Sequence, residues 1–310
     1  SAATIEKAGT ETTGNYNIHY LDGELTVTQN TGVIAVTSGS YEEKYDGASH
    51  TNQTYTVTYN GLICSAVDGT DGLQFLIPVS TTKSDTLTVT ADDASVKDVD
   101  DGTVSNTFTC TVTNSGSYQQ APGMTFGSLK VNPREVTLTS ASDERLYNGS
   151  ALTNSTVTVT GDGFVSGEVN SVTANGTITD IGEVENKPIV INSTATFKQS
   201  NYDISYNYGI LKITGSNATI RIVSASGTED YDGQLHRDDY WTYRVWFDGT
   251  EKTATNDAGT TFELLTGDVL TITPTFAGVT NVSDANNVAN NNTFTYTISN
   301  EGSYIGTRDI

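Results

Sequence analysis

Apolar and polar residues alternate strictly along most of this chain, as in residues 54–61 (TYTVTYNG), 86–90 (TLTVT), 107–113 (TFTCTVT) and 136–139 (VTLT). A period of two sends every other side chain to one face, which predicts strands with a buried apolar face and a solvated, Thr-rich one. No stretch sustains the 3.6-residue period of an amphipathic helix. Leu, Lys and Glu, which favour helix, are scarce beside Thr, Ser, Asn, Gly and Val. The expected fold class is all-β. The short run LQFLIPV at 73–79 reads as a buried strand and is far too short to span a bilayer.

The alternating strands recur in a fixed order. Each series opens with a strand followed by a Tyr-[Asp/Asn]-Gly turn, at residues 33–47, 136–149 and 220–233, with Tyr45, Tyr147 and Tyr231 expected to pack over the end of a core. Asp-Gly and Asn-Gly tolerate positive φ and form tight turns. A second strand follows at 54–61, 156–163 and 242–249, and a middle strand at 85–90, 167–173 and 267–273. A short aliphatic-x-Asp element comes next, around Asp98, Asp180 and Asp284, then a penultimate strand. The series closes on a strand pair of which residues 201–214 (NYDISYNYGILKIT) are the clearest copy. The same pattern stands at 15–28 (NYNIHYLDGELTVT), 186 residues earlier, and in stretched form at 117–132. A fourth copy begins at Ser303-Tyr304 without a Gly-x-Leu-x-Ile strand before Ile310.

Recurrence at this spacing predicts stacked modules. Units of about 80–100 residues with roughly seven strand-length segments fit an immunoglobulin-like β-sandwich. The expected organisation is 1–30 as closing strands of an incomplete repeat, then repeats at 31–132, 133–214 (a shorter variant) and 215–310 (lacking its last strand). The linkers VNPREV, ITGSNA and TQNTGV are short, which predicts an elongated rod.

Composition narrows the function. Apolar residues make up 35%, enough for several small cores, and the net charge is −22 with a pI near 4.2. Such a field repels nucleic acid and anionic membranes, so neither is an expected partner. With no signal peptide or membrane span in the sequence, the chain is expected to be a mature product or a piece of something longer. Cys64 and Cys110 both fall in the first complete repeat. In an oxidising compartment they can form one disulfide; two buried free thiols fit equally well. Neither has the spacing of a zinc site.

The succession VTLTSAS…YNG…ITDIG…NYDISYNYGILKIT (136–214) resembles the tandem YDG or MBG-type immunoglobulin-like repeats of large bacterial surface proteins and adhesins. The resemblance implies an extracellular stalk on the bacterial cell surface, set between an anchor and a tip. The 118–127 segment (YQQAPGMTFG) and the missing last strand depart from that pattern.

Few residues carry candidate chemistry. Asp98, Asp100 and Asp101, with Asp92 and Asp93 nearby, are candidates for a weak calcium site, although the spacing is not that of an EF-hand and turn capping fits better. No other cofactor is expected. His50 and His236 have Leu152 at the equivalent place, so packing explains that position. No nucleophile–base pair can be assembled, which predicts a protein that is not an enzyme. No lysine recurs in register, which argues against intramolecular isopeptide bonds. Tyr240, Trp241, Arg244 and Trp246 lie in DDYWTYRVWFDG, where alternation puts Tyr243, Val245 and Phe247 inside and Trp246 outside. An exposed Trp beside an Arg suits stacking on a sugar or a partner protein, although packing against a neighbouring domain at a linker fits better.

Two functions follow. The favoured one is a structural stalk or filament; the alternative is an adhesin module recognising a glycan or host protein through those aromatics. The broken ends sharpen the first. Residues 20–28, with Tyr20, Leu21, Leu25 and Val27, form a closing strand without a complete repeat of their own, while the last repeat is expected to have an open edge. Unpaired edges recruit strands. The expected partners are copies of the same chain joined head-to-tail by strand addition, or adjoining repeats of one longer polypeptide.

Overall fold

A computed structural model describes residues 6–8, 10–11, 14, 16, 19, 23–236, 243–275, 278–285 and 292–310. Among these residues the protein is all-β, and the only α-helix is the single turn Val282–Ala285. Two compact units divide the chain. The first comprises residues 1–42, 49–96 and 101–130, and the second residues 43–48, 97–100 and 131–310.

The first unit is built on the strand Ile34–Ser38, whose Ile34, Val36 and Ser38 point inward. It pairs antiparallel with Tyr55–Tyr59, Val36 opposite Val57, and parallel with Gly123–Thr125 on its other edge. A second sheet holds Gln74–Pro78, Ser84–Ala91 and Phe108–Val112, with Ser84–Ala91 in the middle. The core contains Val36, Val57, Ile77, Leu87, Val89 and Phe108. Alternation alone places them there: in Phe108–Val112 the two Thr residues are exposed while Phe108 and Val112 are buried.

The second unit repeats the arrangement. Arg134–Ser140 lies between Val157–Gly161, antiparallel, and Tyr202–Asn207, parallel. Ile220–Ser224 lies likewise between Tyr243–Phe247, antiparallel, and Arg308–Asp309, parallel. Val169–Ala174 pairs with Pro188–Ser193, and Val269–Pro274 runs between Thr261–Glu263 and Phe294–Ile298. One core runs through both halves of the unit, joining Tyr147, Leu211 and Ile213 to Ile222, Val245 and Leu270.

The closing strand has a sheet of its own. Gly209–Thr214 is central, paired in parallel with Asp143–Leu146 and antiparallel with Gly182–Asn186. Its Leu211 and Ile213 are fully buried. In the first unit Gly127 and Leu129 pair with Asn106 and Val104 in the same way, and Leu129 is fully buried. Among the described residues of 215–310 no strand takes this place.

Strands change sheet at a buried polar clip. The Ser38 hydroxyl donates to the Asn106 carbonyl (2.7 Å) and accepts from the Gly127 N–H (2.9 Å). The Asn106 amide donates to the carbonyls of Gly39 (2.9 Å) and Asn52 (2.6 Å). The second clip is the same: Ser140 donates to Asn186 and accepts from Gly209 N–H (2.9 Å), while Asn186 donates to Ala141 and Asn154. A Cβ on Gly127 or Gly209 would lie 2.3 Å from the carbonyl oxygen of Gly39 or Ala141, so only glycine fits. The third clip is half formed. Asn292 donates to the Ala225 carbonyl (3.1 Å), and its buried Oδ1 has no partner among the described residues.

Candidate functional site

The residues that do most at the ends of these segments are tyrosines around a buried acid. Each Tyr-x-Gly turn is an Asx turn. The side-chain oxygens of Asp46, Asn148 and Asp232 accept from the N–H two residues on, at 2.8, 3.0 and 2.8 Å. The glycine after each has φ between 77 and 85°. This local chemistry holds the preceding tyrosine at the outer edge of its segment.

In the second unit two of these tyrosines are buried on an acid. Tyr45 donates to Glu168 Oε1 and Tyr202 to Glu168 Oε2, both at 2.5 Å. Tyr147 and Tyr304 donate to Asp268 Oδ2 at 2.7 and 2.6 Å. The ring pairs match as well: Tyr45 and Tyr202 meet edge-on with centroids 5.8 Å apart, and so do Tyr147 and Tyr304. Both acids are buried, and O–H···O⁻ contacts of this length are charge-assisted and about twice as strong as neutral ones. Burial, and then the bond to Glu168, push the Tyr45 hydroxyl up to about 12. The same two causes, in the same order, raise Tyr202, Tyr147 and Tyr304. A second contact accompanies each cluster: Asn201 donates to Asp98 at 2.8 Å and Asn300 to Asp180 at 3.4 Å.

The turn glycine is also part of the contact. A Cβ on Gly149 would stand 2.9 Å from the Thr266 carbonyl oxygen, and one on Gly47 would stand 3.1 Å from Val165 Cγ1. Arg134 further holds the Tyr45 carbonyl (3.2 Å) and the Gly163 carbonyl (2.8 Å). Chemically, the cluster is a clamp. Its acid accepts from two phenols, and no group of three or more His, Cys, Asp or Glu suited to a metal is found among the described residues.

The calcium candidates serve other contacts. Asp98 is paired with Lys198 and accepts from Asn201. Burial works to raise its pKa, but Lys198 and Asn201 outweigh that and hold it below the usual carboxylate value. Asp100 accepts from Ser200 at 2.6 Å, and Asp101 ends the short 3-10 turn Val99–Asp101.

Of the strand-donor residues, Tyr20 and Leu21 lie outside the described residues. Leu25 and Val27 are 94% and 93% exposed. Tyr240 and Trp241 also lie outside the described residues, as does the side chain of Asp284. Trp246, like its neighbour Phe247, is half-buried rather than exposed. The guanidinium groups of Arg221 and Arg244 lie 5.0 and 4.7 Å from its ring centroid. Arg244 is in turn bound by both oxygens of Glu251, at 2.6 and 2.9 Å. A sugar stacking on that ring must displace cations already there. Cys64 and Cys110 are free thiols, Cys64 in the core and Cys110 against it, and burial raises the pKa of both. His50 stacks on Tyr41 with centroids 4.5 Å apart, and His236 bonds Asp232 at 2.7 Å.

Sequence reading located the turn tyrosines but missed their partners. The acid stands at the head of each middle strand (Asp85, Glu168, Asp268), and the second tyrosine follows the penultimate strand (Tyr118, Tyr202, Tyr304). Their recurrence was the available signal. No protein-family model, curated protein or solved structure matches this chain.

Proposed function

We propose that this chain is a non-enzymatic, structural part of an extracellular bacterial surface stalk or filament, made of tandem immunoglobulin-like sandwiches and extended head-to-tail by β-strand addition. The motif succession of residues 136–214 supports the surface-protein setting. The strand-addition reading rests on one observation: Gly23–Thr28 carries the closing-strand pattern with its apolar side chains in water. Leu25 and Val27 correspond to Leu211 and Ile213, which are fully buried, and each such burial is worth about 1.5–3 kcal/mol.

The acceptor is the third segment, residues 215–310. Its clip has Ser224, Ala225 and Asn292 in the places of Ser140, Ala141 and Asn186, and among the described residues no glycine N–H takes the place of the one that Gly209 supplies. Gly23 stands two residues before Leu25, as Gly209 stands before Leu211, and nothing lies within 4 Å of its Cβ position. The strand also leaves its segment in register. Asn30 bridges Tyr118, and Ser216 bridges Tyr304, each two residues after the closing strand's last threonine. Adjoining repeats of one longer polypeptide would use the same contact.

Replacing Leu25 and Val27 together by Asp tests the reading. Negative-stain images of the native chain at high concentration are expected to show filaments, and the double variant only short particles. Filaments of unchanged length in the variant would refute strand addition.

A further inference from the structure

Two of the three Tyr-x-Gly turns are seated on an acid–tyrosine pair, and one is not. Tyr45 meets Glu168 with Tyr202, and Tyr147 meets Asp268 with Tyr304. The third turn is folded in the same way, with Asp232 accepting from Gln234 N–H and Gly233 at φ 78°. Yet Tyr231 is 66% exposed. A Cβ on Gly233 would meet nothing nearer than its own Tyr231 hydroxyl, at 3.9 Å, where Gly149 has the backbone of Thr266 at 2.9 Å.

The first unit holds the matching half. Tyr118 donates to Asp85 Oδ2 at 2.8 Å, as Tyr304 does to Asp268. Asn114 donates to Asp85 Oδ1 at 3.0 Å and stands four residues before Tyr118, as Asn300 stands before Tyr304. Burial and then Asp85 raise Tyr118, as in the occupied clusters. Tyr45 and Tyr147 are committed elsewhere and Tyr231 is exposed, so none of the three turn tyrosines sits on Asp85.

We propose that the Tyr231-Asp232-Gly233 turn of one copy of this chain docks on the Asp85–Asn114–Tyr118 corner of another, the Tyr231 hydroxyl donating to Asp85. The proposal rests on the head-to-tail reading above. There the strand Gly23–Thr28 entering one copy's third segment leads through Asn30 to that corner of its own first segment: Asn30 N–H donates to Ser117 (2.7 Å) and Gln119 N–H donates to Asn30 (3.0 Å). Ser216 makes the same pair of bonds with Ser303 (2.8 Å) and Ile305 (2.9 Å) beside the occupied Asp268 cluster. The junction between copies is thus a third instance of the one inside the second unit. Specificity follows from the glycine: a bulkier turn cannot approach, and a phenylalanine fills the space but donates nothing.

Sedimentation velocity of the full chain over a concentration series tests this, with Tyr231→Phe, Asp85→Asn and the Leu25→Asp/Val27→Asp pair. Both single variants are expected to weaken association about tenfold or more, as for a bond to a charged acceptor. The double variant Tyr231→Phe/Asp85→Asn is expected to be little worse than either alone, because both remove the same bond. If the single variants associate like the native chain while the strand variant does not, the docking is wrong and strand addition stands. If the single variants weaken association and the strand variant has no effect, the docking stands and strand addition falls. A native chain that stays monomeric at every concentration overturns both.

Discussion

A carboxylate shared by two phenols ties stability to alkaline pH. Tyr45, Tyr147, Tyr202 and Tyr304 all have raised folded pKa values, from burial first and the acid second. Their unfolded value is 10.0, so the folded chain keeps protons that the unfolded chain releases above that pH. Their contribution is complete below pH 10 and is lost as pH rises through about 12 for Tyr45. Denaturant midpoints of the native chain are expected to hold steady to near pH 10 and fall beyond it. A Tyr147→Phe/Tyr304→Phe variant, stripped of one cluster, should show a shallower fall. Parallel curves would mean that these hydroxyls do not report on folding.

Among elements, the closing strand concentrates the constraints. In Gly209–Thr214 the glycine lets the backbone touch Ala141, Leu211 and Ile213 fill the core, and Ser140 fastens the entry. The obstacle to a side chain at Gly209 is a backbone oxygen, which cannot rotate away. Gly209→Ala is therefore expected to cost about 1–3 kcal/mol, as overpacking does, measured by urea denaturation. Gly23→Ala should leave the stability of the isolated chain unchanged, because nothing surrounds Gly23 there. Equal losses at both sites would show that Gly23 is already packed in the single chain. The same clip accounts for Asn106 and Asn186, polar residues in an otherwise apolar place, each satisfied by two carbonyls.

For the whole molecule the governing quantity is a net charge of −22. Copies that join end to end must bring like charges together, and the contacts proposed here are apolar side chains and tyrosine–acid hydrogen bonds, with few ion pairs. Added salt shortens the Debye length from about 30 Å at 0.01 M to about 8 Å at 0.15 M. Association is therefore expected to strengthen over that range in sedimentation experiments. Weakening with salt would point instead to an interface of opposed charges.

Many strand positions were legible in the sequence because period-two alternation is a local property: the Thr face of Phe108–Val112 can only be the outer one once Phe108 and Val112 are buried, although Val157–Gly161, which alternates in the same way, stays largely exposed. The turns were legible for the same reason, since Asx-Gly chemistry needs no distant partner. What alternation cannot reveal is which polar groups meet. Glu168 is 123 residues from Tyr45 and 34 from Tyr202, and it reads as one more acid in an acidic chain until folding brings two hydroxyls to its oxygens. Asp98 looks like a metal ligand among aspartates until Lys198, a hundred positions away, neutralises it. Side-chain hydrogen bonds across such separations depend on three-dimensional placement, and only the folded chain supplies it.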